Sequence, residues 1–93
     1  MIHDLKYFQN LDNHPFSGEL ELDTPIKVKV KDEPHIRKFF DGTEGYEHIT
    51  NFAIGKEYSV YKIEGYGDGA DACFIDDNGK ETSIMVDYLE EIA

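Results

Sequence analysis

The sequence predicts a mainly β protein with a minor helical share. It reads as a small barrel with an N-terminal extension and a long excursion after the first barrel strand. Three observations carry this. Residues 19–31 (ELELDTPIKVKVK) alternate apolar and charged side chains with the two-residue period of a strand. Residues 56–64 (KEYSVYKIE) alternate likewise, and 70–75 (ADACFI) and 80–86 (KETSIMV) read as two further strands. Asn78-Gly79, between two such runs, signals a two-residue hairpin, because both turn positions want positive φ.

In chain order, Ile2, Leu5, Phe8 and Leu11 fall at roughly helical spacing. Residues 1–18 are therefore expected to form a short helix or an irregular arm on the barrel, which spans 19–92 of a single 1–93 domain. Asn13-His14-Pro15 breaks regular structure, since proline disfavours a helical residue before it. Leu20 and Leu22 are read as one strand and Ile26, Val28 and Val30 as the next, with Asp23-Thr24-Pro25 as the turn. That hairpin sets Glu21 opposite Lys27 and Glu19 opposite Lys29, and its lysines blunt an exposed edge. In the excursion, residues 32–54, Pro34 opens a helical turn through Phe40. Tyr58, Val60 and Lys62 then alternate against Glu57, Ser59, Tyr61 and Ile63. Gly65-Tyr66-Gly67-Asp68-Gly69 reads as a flexible connector. The strands 70–75 and 80–86 follow, and Asp87 is placed as the cap of a last turn holding Tyr88, Leu89 and Ile92.

Nine Lys plus Arg face twenty Asp plus Glu, a net charge of −11. Such a chain repels polyanions, so neither direct nucleic-acid binding nor adsorption to an anionic membrane is expected. The charge is also uneven. Lys27 to Lys38 holds five basic residues against two acidic ones, whereas Ile63 to Ala93 holds nine acidic residues and only Lys80. No apolar run approaches the roughly 20 residues of a membrane span. Cys73 is the one cysteine, which excludes an internal disulfide, and the opening MIHDLKYFQN has neither the basic start nor the apolar stretch of a secretory signal. A cytoplasmic location is expected.

Several segments together resemble a known group. Ile26-Lys27-Val28-Lys29-Val30, His48-Ile49-Thr50, Gly55-Lys56-Glu57-Tyr58-Ser59-Val60, Ile75-Asp76-Asp77-Asn78-Gly79-Lys80-Glu81 and Tyr88-Leu89-Glu90 resemble small SH3-like barrel proteins of bacteriophages, prophages and their hosts. The resemblance covers residues 26–92 and implies an SH3-like β-barrel. It also implies a phage or mobile-element accessory protein without defined chemistry. The chain departs from the pattern in its extra N-terminal residues, its longer excursion, and a closing strand (Thr82 to Val86) without aromatic residues or proline. It has no Trp, so the aromatic groove that reads proline-rich peptides is not carried over.

No catalytic, cofactor or metal residues are expected. His3, His14, His35 and His48 match no catalytic pattern. His35 and His48, with Asp32, Glu33 or Glu47, form at best a weak zinc set. Cys73 lies in a strand and reads as a packed side chain. Gly65, Gly67 and Gly69 have no following Lys-Ser/Thr and sit among carboxylates, which suits no phosphate. Asp76, Asp77, Asn78 and Glu81 are too closely spaced for a calcium loop.

What remains is an interaction surface. Phe39, Phe40, Tyr46, Tyr61 and Tyr66 lie in or beside the irregular loops, and with Asp68 and Asp71 they suit a basic, partly apolar protein partner. Glu64, Asp76, Asp77, Glu81, Asp87, Glu90 and Glu91 make up an acidic face. The expected function is a non-catalytic protein-interaction module, acting as a monomer or homodimer. The alternative is a nucleic-acid mimic that blocks a DNA- or RNA-binding protein, such as a host defence factor.

Overall fold

A computed structural model describes residues 4–42 and 49–92. Its elements are α1 (Leu5–Phe8), β1 (Phe16–Val30), α2 (Pro34–Asp41), β2 (Glu57–Gly67), β3 (Ala70–Ile75), β4 (Glu81–Met85), a 3-10 turn (Val86–Tyr88) and β5 (Leu89–Glu91). The five strands form one antiparallel sheet in the order β4-β3-β2-β1-β5. The sheet curls into a half-barrel. Consecutive strands β1 to β4 form a meander, apart from the excursion between β1 and β2, and the 3-10 turn then carries the chain back to the free side of β1. The mainly β class, the N-terminal extension and the long excursion agree with the sequence.

The concave face holds the core. Val28, Val30, Val60, Ile63, Ala72, Phe74 and Leu89 are fully buried there, and Leu5, Phe8 and Leu11 of the N-terminal arm join them. Asp4 caps α1 by accepting a hydrogen bond from the Tyr7 amide at 3.1 Å. Pro34 opens α2 and Gly42 ends it in the left-handed conformation, with φ 70°. No helix among the described residues is long and apolar enough to cross a membrane.

Several local expectations need correction. Residues 19–31 are not a hairpin: 19–30 belong to the single strand β1, and Lys31 follows it. Asp23-Thr24-Pro25 holds no glycine to supply the positive φ of a tight turn. Proline, which lacks the ladder N–H donor, is instead accommodated at an irregularity in a strand, where the pairing is interrupted. The register against β2 shifts there: Glu21 pairs with Lys62 and Ile26 with Val60, so residues 22–25 oppose Tyr61 alone. The shift resets the facing of β2. Val60 and Ile63 both point into the core, and Tyr61 and Lys62 both point out. The lysines pair with other strands: Lys27 reaches Glu57 at 3.4 Å and Lys29 reaches Glu90 at 3.3 Å.

The glycine-rich connector is mostly strand, because its glycines provide close approach. A Cβ on Gly65 would lie 2.4 Å from the Phe16 ring, and one on Gly69 would lie 2.7 Å from the Tyr66 ring. The turn at Asn78-Gly79 is real but longer than expected. The Gly79 amide donates to the Asp76 carbonyl (3.1 Å) and the Asp76 amide to the Lys80 carbonyl (2.8 Å), with Gly79 at φ 77°. This is the turn-plus-bulge form, with Asp at the first position and Gly at the last. Asp87 lies inside the 3-10 turn rather than capping it, and Leu89–Glu91 continue as strand β5 rather than as a turn.

Candidate protein-interaction surface

The turn of the β2–β3 hairpin and the 3-10 turn come together at one rim of the half-barrel. Tyr66, near the end of β2, is 52% exposed, which makes it the most exposed large apolar side chain among the described residues. The ring lies over Gly69, where no side chain intervenes. Partial burial raises the Tyr66 hydroxyl above its ordinary pKa, and the fields of Asp71, Asp87 and Asp68, with Tyr88, add to the effect. Tyr88 in turn packs against Phe39 of α2 with ring centroids 5.8 Å apart, and against His35 at 6.4 Å. Met85, 39% exposed, stands opposite Asp71 across the β3–β4 ladder.

Of the residues proposed from sequence, the fold places Phe39, Tyr66, Asp68 and Asp71 around this rim, together with Asp87 of the acidic face. Tyr88, His35 and Met85 join them, although none is among the interaction residues expected from the sequence. Tyr88 could have been found as the aromatic next to Asp87, but only the 3-10 turn brings it beside α2. Phe40 turns toward the core and meets Phe52 edge-on at 5.5 Å. Tyr46 lies outside the described residues, as do His48 and Glu47.

Tyr61 lies elsewhere, on the convex face of the sheet. Its hydroxyl donates to Glu81, and that bond, with burial and neighbouring carboxylates, pushes it up to about 12. Beside it, Lys62 lies within 4 Å of three carboxylates: Glu64 at 3.7 Å, Glu19 at 3.9 Å and Glu81 at 3.9 Å. Cys73 is buried on this outer side of β3, opposite Lys62, and its thiol donates to Glu64 at 3.1 Å. Burial, then the Glu64 carboxylate, push the thiol up to about 12. A thiol so held is protonated at neutral pH and a poor nucleophile.

The other acidic residues mostly serve the fold. Asp76 accepts from the Asn78 amide (2.8 Å), the Lys80 amide (3.0 Å) and the Asn51 side chain (3.1 Å), which hold its carboxyl below the usual range. Asp77 pairs with Lys56 at 2.6 Å and accepts from the Tyr58 hydroxyl at 3.2 Å. Glu90 pairs with Lys29, and Glu91 accepts from the Leu5 amide at 2.9 Å. Asp68, Asp71 and Asp87 differ: none has a cationic partner among the described residues. No three His, Cys, Asp or Glu side chains among these residues gather to hold a metal ion. Asp32 is taken up by Arg37 at 2.5 Å, and His35 lies 3.5 Å from Glu33. No family model, curated protein or solved structure matches the chain.

Proposed function

We propose that the protein is a small acidic, non-catalytic interaction module, and that it binds a basic protein partner through the rim around Tyr66. One observation carries this reading. An exposed tyrosine is ringed by Asp68, Asp71 and Asp87, none of them neutralised by a cation among the described residues, while the sheet lysines Lys27, Lys29 and Lys62 are consumed by other carboxylates. Aromatic anchors supply contact area at low entropy cost, and the carboxylates steer and orient a cationic partner. By the resemblance of residues 26–92, the partner is a host protein and the module a cytoplasmic phage or mobile-element accessory.

The mimic reading needs rows of unpaired carboxylates at phosphate-like spacing. Glu64, Asp76, Asp77, Glu81, Glu90 and Glu91 are all engaged within the chain, which favours the aromatic rim. The test is affinity capture from a bacterial host lysate, followed by titration of the purified partner. Tyr66→Ala should weaken binding at least about tenfold, and much of the affinity should survive about 0.5 M salt. Binding that is indifferent to Tyr66→Ala and collapses steeply with salt would overturn the reading in favour of mimicry.

A further inference from the structure

We infer that the open edge of β4 is a strand-addition site for an extended, lysine- or arginine-bearing segment of a partner protein. The hydrogen-bond phase of the sheet identifies it. At one hairpin the Tyr66 amide donates to the Gly69 carbonyl (3.0 Å), and at the next the Asp76 amide donates to the Lys80 carbonyl (2.8 Å). Bonded pairs recur at every second position of an antiparallel ladder. From the first turn, Asp71 and Cys73 are the bonded partners of Glu64 and Lys62. From the second, Phe74 and Ala72 are those of Thr82 and Ile84. The two counts agree. Thr82 and Ile84 are committed to β3, while Glu81, Ser83 and Met85 aim their N–H and C=O groups away from the sheet.

The two edges of the sheet are treated differently. At β5 the Gln9 side chain donates to the Val86 and Leu89 carbonyls, both at 2.8 Å, and Glu91 takes the Leu5 amide. The N-terminal arm closes that edge. Beyond β4 no strand among the described residues follows. Glu81–Met85 also contains no proline, lysine or bulge, the usual means of blunting an exposed edge.

Charge selects the occupant. Opposed residues share a face, so Ile75 with Glu81, Cys73 with Ser83 and Asp71 with Met85 all face outward. Ile75 and Met85 are 50% and 39% exposed. Glu19, Glu64 and Asp71 form a carboxylate row across three strands that ends at Met85. An added strand sets one side chain beside Glu81 and another beside Met85. A cation suits the first, since Tyr61 and Lys62 both approach Oε2 of Glu81 and leave its Oε1 for the added strand, and a long aliphatic stem with a cationic tip suits the second. A second copy of the chain brings its own net charge of −11 and is disfavoured.

This site uses main-chain groups distinct from the Tyr66 rim, so the two can fail separately. The test adds a short, end-blocked, alternating Lys-Val peptide to the isotope-labelled full chain and follows amide exchange by NMR. The amides of Glu81, Ser83 and Met85 should slow. A peptide N-methylated at alternate residues should bind about tenfold weaker, having lost its pairing bonds. Ser83→Pro removes an outward N–H without touching a ladder bond and should weaken binding similarly. Ser83→Lys, which keeps the backbone intact, should do so by repulsion. Tyr66→Ala should leave the edge protection unchanged. Shifts confined to Tyr66 and Tyr88, equal binding of the N-methylated peptide, or edge protection that appears with protein concentration alone would each overturn the inference.

Discussion

Asp71 carries a charge that the fold opposes. It sits directly across the ladder from Glu64, and burial first, then that carboxylate, raise its pKa above the ordinary value. A carboxyl with a raised folded pKa contributes stability below its unfolded value, near 3.9, and loses it as the pH climbs through the folded value. Asp71→Asn should therefore melt higher than the parent at pH 7, with the gap closing below about pH 3.5. Thermal melts across that range decide it. Asp76 has the opposite sign: its lowered pKa means stability present at neutral pH and lost as the pH falls below the ordinary aspartate range. A destabilising carboxylate kept at the rim is the expected signature of a binding residue, since sites commonly sacrifice stability. The glycines separate in the same way. Gly65→Ala drives a Cβ to 2.5 Å from the Phe16 carbonyl, which cannot swing aside, and should cost about 1–3 kcal/mol in urea denaturation. The nearest atoms to a Cβ in Gly69→Ala are those of the Tyr66 ring, the far end of a side chain able to rotate. It should leave stability nearly unchanged and shift the Tyr66 ring resonances, which NMR would register.

At the scale of elements, the N-terminal arm belongs to the domain. Phe8 is fully buried and packs edge-on to Phe16 at 6.2 Å, while Gln9 satisfies two carbonyls at the 3-10 turn. Gln9→Ala orphans both and should cost about 1–3 kcal/mol, and Phe8→Ala about 3–5 kcal/mol. If equilibrium unfolding shows neither loss, the arm is merely laid on the surface. The arm's apolar spacing was legible because Leu5, Phe8 and Leu11 recur on one side of the chain. The 70–75 strand and the Asp76–Gly79 turn were legible because local chemistry fixes them. Pro34 likewise announced α2. The unbroken β1 was hidden, since a bulge and a turn both use Asp-Thr-Pro and only the partner strand decides between them. The inversion of Lys62 and Ile63 follows from that same bulge. The rim was half legible: Tyr66, Asp68 and Asp71 are neighbours in sequence, but Asp87 and Tyr88 arrive through the return of the chain to β1, where Tyr88 meets Phe39 of α2.

For the whole molecule, two electrostatic effects compete. Ion pairs such as Lys27–Glu57, Lys29–Glu90 and Lys56–Asp77 stabilise the fold, but exposed pairs are worth only about 0–1 kcal/mol each. Against them stands the repulsion of a net charge of −11 confined within a radius of gyration of 13.1 Å. Two like charges about 20 Å apart in water repel by roughly 0.2 kcal/mol. Eleven excess charges make dozens of such pairs, and unfolding relieves much of that repulsion by spreading the chain. The repulsion should win. Salt screens distant charges more completely than close contacts, so it should remove more repulsion than attraction. The melting temperature at pH 7 is therefore expected to rise as sodium chloride goes from about 0.01 M to about 0.5 M, with most of the gain by about 0.15 M, where the screening length falls below the separation of the charges. A melting temperature that falls over this range would mean that the local pairs dominate. The unpaired carboxylates at Asp68, Asp71 and Asp87 would then be too weak a field to steer a partner.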